Sequence, residues 1–242
     1  MASEESKNEE QASESRSSER AVMLELEHVL VNSRAAMYAA LKESLAAYDK
    51  ELTVPLFSRF CLYATPQDFV PALCDELDIS SRSSDKIVKE VEEGMDSFWK
   101  SSEHELRPGV ADFLQKTKQS GFTQIAITAL PEKRAAQVIQ GLGESCEALE
   151  IQSFSEQEKA IAGADIWMQA AIDREIPAGR CIAIASSSAA CRAALSADLH
   201  CVVLTDEFSE FGDFGGAPFR FDSLAEADLD KLLDTFYPDS ED

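Results

Sequence analysis

Short apolar runs alternate with stripes of apolar residues at helical spacing along most of the chain. Val22, Met23 and Leu24 have the apolar, partly β-branched character of a strand buried on both faces of a parallel sheet. Met37, Leu41, Leu45 and Tyr48 then recur at helical spacing and predict a helix over about 33–49. Thr65-Pro66 reads as the N-cap and first residue of a second helix, with Phe69, Val70, Leu73 and Leu77 as its buried stripe. Ser83 or Ser84 opens a third, which turns Ile87, Val88, Val91, Met95 and Phe98 inward.

Leu106-Arg-Pro-Gly109 is a turn signal, and beyond it the two periodicities take turns. A helix carrying Val110, Phe113, Leu114 and Thr117 leads to a strand over 123–128, and Pro131 starts the next helix. Further strands are predicted at 148–151, 181–185 and 201–204, and further helices at 165–174, 188–197 and 224–236. Such alternation predicts an α/β fold: a Rossmann-like core of parallel strands with helices on both faces.

Composition adds a few boundaries. Residues 1–20 are rich in Ser and Glu with almost no large apolar residue, so a disordered acidic tail is expected there, and residues 238–242 read as a frayed acidic end. That tail has neither the basic start nor the apolar centre of a signal peptide, and no stretch approaches the roughly 20 apolar residues that cross a bilayer. The six cysteines form no Cys-x-x-Cys pair and several lie inside apolar runs, as reduced, buried thiols of a cytoplasmic protein do. A net charge of −23 argues against nucleic acid and against anionic membrane surfaces as partners, because both need a basic footprint.

The chemistry concentrates where the first apolar run is broken by two carboxylates, in Ala21-Val-Met-Leu-Glu25-Leu-Glu27-His28-Val-Leu-Val-Asn32-Ser33. In an extended chain Glu25 and Glu27 point to the same side, at the carboxyl end of a strand, which is where open α/β sheets bind ligands. This stretch resembles the first motif of the haloacid dehalogenase superfamily, in its phosphoglycolate phosphatase and β-phosphoglucomutase branch. The pattern there is an apolar strand, Asp-x-Asp-Gly-[Thr/Val]-Leu, an apolar residue and Asp-Ser. Val29, Leu30, Val31 and Ser33 match it, whereas Glu25 and Glu27 replace the two aspartates, His28 the glycine and Asn32 the last aspartate.

The resemblance covers about residues 21–236 and implies a division of the chain. Residues 21–34 and 105–237 would form the α/β core, and 35–104 a helical cap inserted after the first strand, closing over the substrate. It also implies four catalytic elements. Glu25 stands at the nucleophile, which also binds Mg²⁺, and Glu27 at the general acid and base; each carries an extra methylene, and a shift of about an ångström can cost on the order of a hundredfold in rate. Thr128 matches the strand-terminal hydroxyl that binds phosphate.

The remaining two elements are lost. Ile161 aligns with the lysine that neutralises nucleophile and phosphate, leaving Lys159, two residues upstream, as a displaced substitute or as a surface lysine. Ala185 and Ser186 occupy the acidic positions that complete the magnesium site, so Glu25 alone remains as a metal-ligating carboxylate.

These features support a haloacid dehalogenase-like protein that is catalytically impaired or inactive and keeps its fold for ligand binding or protein interaction. On that reading it needs no cofactor, and its partner is a small phosphorylated ligand or another protein. The alternative is a divergent Mg-dependent phosphatase or phosphomutase acting on a small phosphomonoester. It requires Glu25, Glu27, Thr128 and Lys159 to converge below the cap.

Overall fold

All five residues of β1 (Ala21–Glu25) are buried, which is what a strand with neighbours on both sides and helices on both faces requires. In the computed structural model, which describes residues 20–157 and 159–238, β1 lies between β2 (Thr123–Thr128) and β4 (Cys181–Ala185). The sheet order is β3-β2-β1-β4-β5-β6, with β3 at Leu149–Ser153, β5 at His200–Leu204 and β6 at Phe219–Phe221, and every pairing is parallel. Apart from Arg20 and Pro238, the expectations for the two chain ends fall outside the described residues.

Alternation along β1 sends Val22 and Leu24 to one face and Ala21 and Met23 to the other. The first face is covered by α5 (Val110–Gln119), α6 (Glu132–Gly141) and α9 (Leu229–Phe236), through side chains such as Phe113, Val138 and Leu232. The second is covered by α7 (Ala164–Ile172) and α8 (Ser188–Ser196), where Trp167 is fully buried. The predicted α/β core with a parallel sheet is therefore present. Gly109 has φ +80°, and a Cβ there would lie 1.9 Å from the Ala225 amide nitrogen, so the turn before α5 depends on glycine.

Between β1 and α5 the chain builds α1 (Ser33–Ala46), α2 (Val54–Phe60), α3 (Pro66–Glu76) and α4 (Ser84–Lys100). These helices pack around their own cluster, which includes Leu41, Leu45, Phe57, Leu73 and Ile87. Phe208, from the loop after β5, joins that cluster, with its ring 4.7 Å from Phe57 and 5.2 Å from Tyr38 between centroids.

Several local expectations need correction. The chain leaves the extended conformation at Glu25, and Leu26–Leu30 form a wide helical turn closed by the Val31 amide donating to the Leu26 carbonyl at 3.1 Å. Burying Leu26, Val29 and Leu30 on one side of that turn outweighs the strand preference of the run. Helix α2 is short, and its sequence marks are its cap, where the Thr53 hydroxyl accepts from the Leu56 amide, and Pro55 in its first turn. Strand β6 spans only three residues, and the last helix begins at Leu229 rather than at 224.

Candidate active site

The strand order reverses between β1 and β4, and the carboxyl ends of these strands and of β2 frame the crevice such a reversal creates. Glu25 is the last residue of β1 and Glu27 lies within the helical turn that follows. Because the chain turns between them, the two carboxylates serve opposite sides of the crevice, contrary to the common direction expected for an extended strand.

Glu25 faces β4. Its Oε2 accepts from the Ser186 amide at 2.7 Å and from the Ser186 hydroxyl at 2.5 Å. Behind this contact lies Arg34, in the first turn of α1: Nη2 donates to Ser186 Oγ at 2.9 Å and Nη1 to the Ser186 carbonyl at 3.1 Å. Nη1 also forms a 2.8 Å ion pair with Asp206 Oδ2, with the two side chains only 4% and 3% exposed. The other Asp206 oxygen accepts from the Phe208 and Ser209 amides and from the Ser209 hydroxyl. Arg34 Nε is buried and has no hydrogen-bond partner among the described residues.

Burial pushes the Glu25 carboxyl above its ordinary range, and Arg34 and the Ser186 hydrogen bonds offset only part of that. Burial acts the same way on Asp206, but there Arg34 and the bonds it and Ser209 make prevail and hold the carboxyl below its usual range. Of the two carboxyls in this network, Asp206 is thus the one whose charged form the surroundings favour.

Glu27 faces β2. Its Oε1 accepts from the Thr128 hydroxyl at 2.7 Å, the Ala129 amide at 2.7 Å and the Leu130 amide at 3.3 Å. The Leu130 amide is shared with Thr128 Oγ1 at 3.0 Å, and the Leu130 carbonyl accepts from Ser153 at 2.7 Å, which fixes the loop. Burial raises the Glu27 carboxyl to about 7, against the opposing effect of these hydrogen bonds.

His28 adopts no positive φ, so its presence in place of glycine strains nothing. Its Nδ1 lies 3.1 Å from Ser33 Oγ, and burial together with Arg34 and Arg107 holds the ring well below its usual pKa and therefore neutral. Arg107, from the turn before α5, donates to the His28 and Thr205 carbonyls at 2.6 Å each. Sequence reading assigned neither arginine to the site. Arg34 reads in sequence as one more polar residue at a helix start, and the signal available is that Ile161 and Ser186 are uncharged where the resemblance implies charged residues.

Below α1–α4 lies a cavity of about 220 Å³, smaller than the roughly 300–1,000 Å³ of sites for drug-sized ligands. Glu27, His28, Arg34 and Lys159 line it, against apolar walls that include Met37, Phe57, Leu62 and Trp99. Lys159 stands at its rim with a half-exposed side chain, 3.8 Å from Asp165. Of the four residues that the phosphatase alternative requires to converge, Glu27 and Thr128 are in contact, Glu25 is bound to Ser186, and Lys159 is drawn toward Asp165.

No family model matches the chain. In sequence it is similar to protein CbbY of Cereibacter sphaeroides, at 28% identity over 166 residues, 64% of this chain and 66% of that protein. The match therefore spans just under two thirds of the relative's length. In structure it resembles a haloacid dehalogenase family hydrolase of Deinococcus radiodurans solved with phosphate and sodium, with a TM-score of 0.70, 18% identity, and 91% and 97% of the two chains covered. This chain has the haloacid dehalogenase fold. Rhodobacter sphaeroides CbbY, solved with xylulose-1,5-bisphosphate, is similar as well, at a TM-score of 0.67 and 20% identity over 86% of this chain and 95% of that one.

The fold implies Mg²⁺, an ion that asks for near-octahedral oxygen ligation. The residues present do not fit it. The oxygen of Glu25 that faces β4 is bound by Ser186, a guanidinium lies on the far side of that serine, and both Asp206 oxygens are engaged. Among the described residues no group of three or more His, Cys, Asp or Glu could hold a metal ion.

Proposed function

We propose that this haloacid dehalogenase-fold protein binds a small ligand in the cavity under α1–α4 and has lost efficient phosphoryl transfer. The observation that carries this reading is the Glu25–Ser186–Arg34–Asp206 chain. It holds Glu25 on a neutral hydroxyl backed by a guanidinium that is itself paired with Asp206, which supports a site poor in the metal-binding carboxylates and free cation that phosphoryl transfer uses. The cavity walls suit a small ligand with an apolar portion, and a cytoplasmic setting with no cofactor belongs to the same reading. Assay with p-nitrophenyl phosphate and a panel of sugar phosphates in Mg²⁺ tests it. Background turnover, unchanged in Glu25→Gln, is the expected result; robust turnover abolished by that substitution would refute the proposal.

The presence of Lys159 in the same cavity lining as Glu27 favours a second reading, a divergent phosphatase or phosphomutase with Glu25 as nucleophile. It requires Lys159 to leave Asp165 for the bound phosphate. In the same assay, turnover lost in both Glu25→Gln and Lys159→Ala would establish it.

A further inference from the structure

The donors that Glu27 occupies form a complete oxyanion cradle. One hydroxyl, from the fully buried Thr128, and two successive amides, of Ala129 and Leu130, converge on a single oxygen at the end of β2. The loop runs directly through Pro131 into α6, so the positive end of that helix's dipole lies beside them. A hydroxyl and two amides bordering a helix N-terminus suit a tetrahedral phosphate head as well as they suit a carboxylate.

Two further observations connect the cradle to an incoming ligand. Glu27, Ala129 and Leu130 all line the 220 Å³ cavity, so an anion there would compete with Glu27 for the same donors. Arg34, 97% buried, lines this cavity too, and its Nε–H has no acceptor among the described residues. A buried, charged donor left without a partner favours an acceptor in its vicinity by more than a solvated one would.

We propose that Glu27 is the built-in occupant of this cradle, an autoinhibitory contact that keeps phosphate and phosphomonoester heads out of the cavity unless its side chain is displaced. The inference rests on reading the site as one that binds without turning over. Glu27 meets the cradle through a single oxygen, which Thr128, Ala129 and Leu130 contact together. With that side chain in place, a phosphate dianion finds its donors taken, and above about pH 7 it also faces a negative charge.

The test measures inorganic phosphate binding to the full chain, by ³¹P line width and by the tryptophan fluorescence, to which Trp99 in the cavity wall contributes beside the core residue Trp167. Glu27→Ala is expected to bind phosphate at least about tenfold more tightly than the wild type, the effect of about 1.4 kcal/mol of released hydrogen bonding. Glu27→Ser, which also frees the cradle while retaining a polar side chain, should behave alike and guards against misfolding of the alanine variant. Adding Thr128→Val to either should abolish the gain. Equal binding by wild type and both truncations, or a gain that survives Thr128→Val, would overturn the inference. Either result leaves the turnover assay untouched, whereas turnover in that assay would sink the functional reading without bearing on phosphate affinity.

Discussion

Arg34 and Asp206 form a buried ion pair, 2.8 Å from Nη1 to Oδ2, that joins the first helix after β1 to the loop after β5. Its partners extend through Ser186 to Glu25, so one guanidinium organises the β4 side of the crevice.

Removing that guanidinium strands a buried carboxylate. Arg34→Met is expected to cost about 3–5 kcal/mol in urea unfolding. Adding Asp206→Asn should recover at least half of the loss, because asparagine keeps an acceptor for the Phe208 and Ser209 amides and removes the charge. Additive losses in the double variant would show that the charge pairing is not what Arg34 contributes.

Glu27 imposes a pH dependence of definite sign. Its folded-state pKa of about 7 lies above the unfolded value of 4.5, so folding takes up a proton between the two. The stability from this group is complete below about pH 4.5 and is lost as pH rises through about 7. Relative to Glu27→Gln, the wild type should weaken by about 1–3 kcal/mol across that window. A difference between the two proteins that stays constant with pH would contradict the environment described for Glu27.

Phe208 ties the sheet to the helical insert, since its ring is 3% exposed and belongs to the cluster of α1–α4. Phe208→Ala is expected to cost about 3–5 kcal/mol, the usual loss for an aromatic side chain deleted from a packed core. A loss below about 1 kcal/mol, the range of surface substitutions, would show that the ring does not bridge the two parts.

Divalent metal should leave the protein unaffected. A ligand at a hundred times its Kd stabilises by about 2.7 kcal/mol, so millimolar Mg²⁺ or Mn²⁺ at a real site would raise the melting temperature and EDTA would lower it. Neither shift is expected. A metal-dependent rise that disappears in Glu25→Gln would restore the metal site.

The sequence by itself determined the architecture. The apolar run of β1, the strand at 181–185 and the helical stripes of α4 and α5 are local patterns, and their alternation specifies a parallel sheet because few topologies bury them all. Through the resemblance it also marked Ile161, Ala185 and Ser186 as uncharged residues where charged ones are implied. Only the tertiary structure decided what replaced them. Arg34 and Ser186 lie 152 positions apart and Glu27 and Thr128 101, and no spacing rule relates residues joined by a chain reversal and a sheet register. The turn after Glu25 changed the site most. It sent one carboxylate to Ser186 and the other to Thr128, because burying Leu26, Val29 and Leu30 took precedence over continuing the strand.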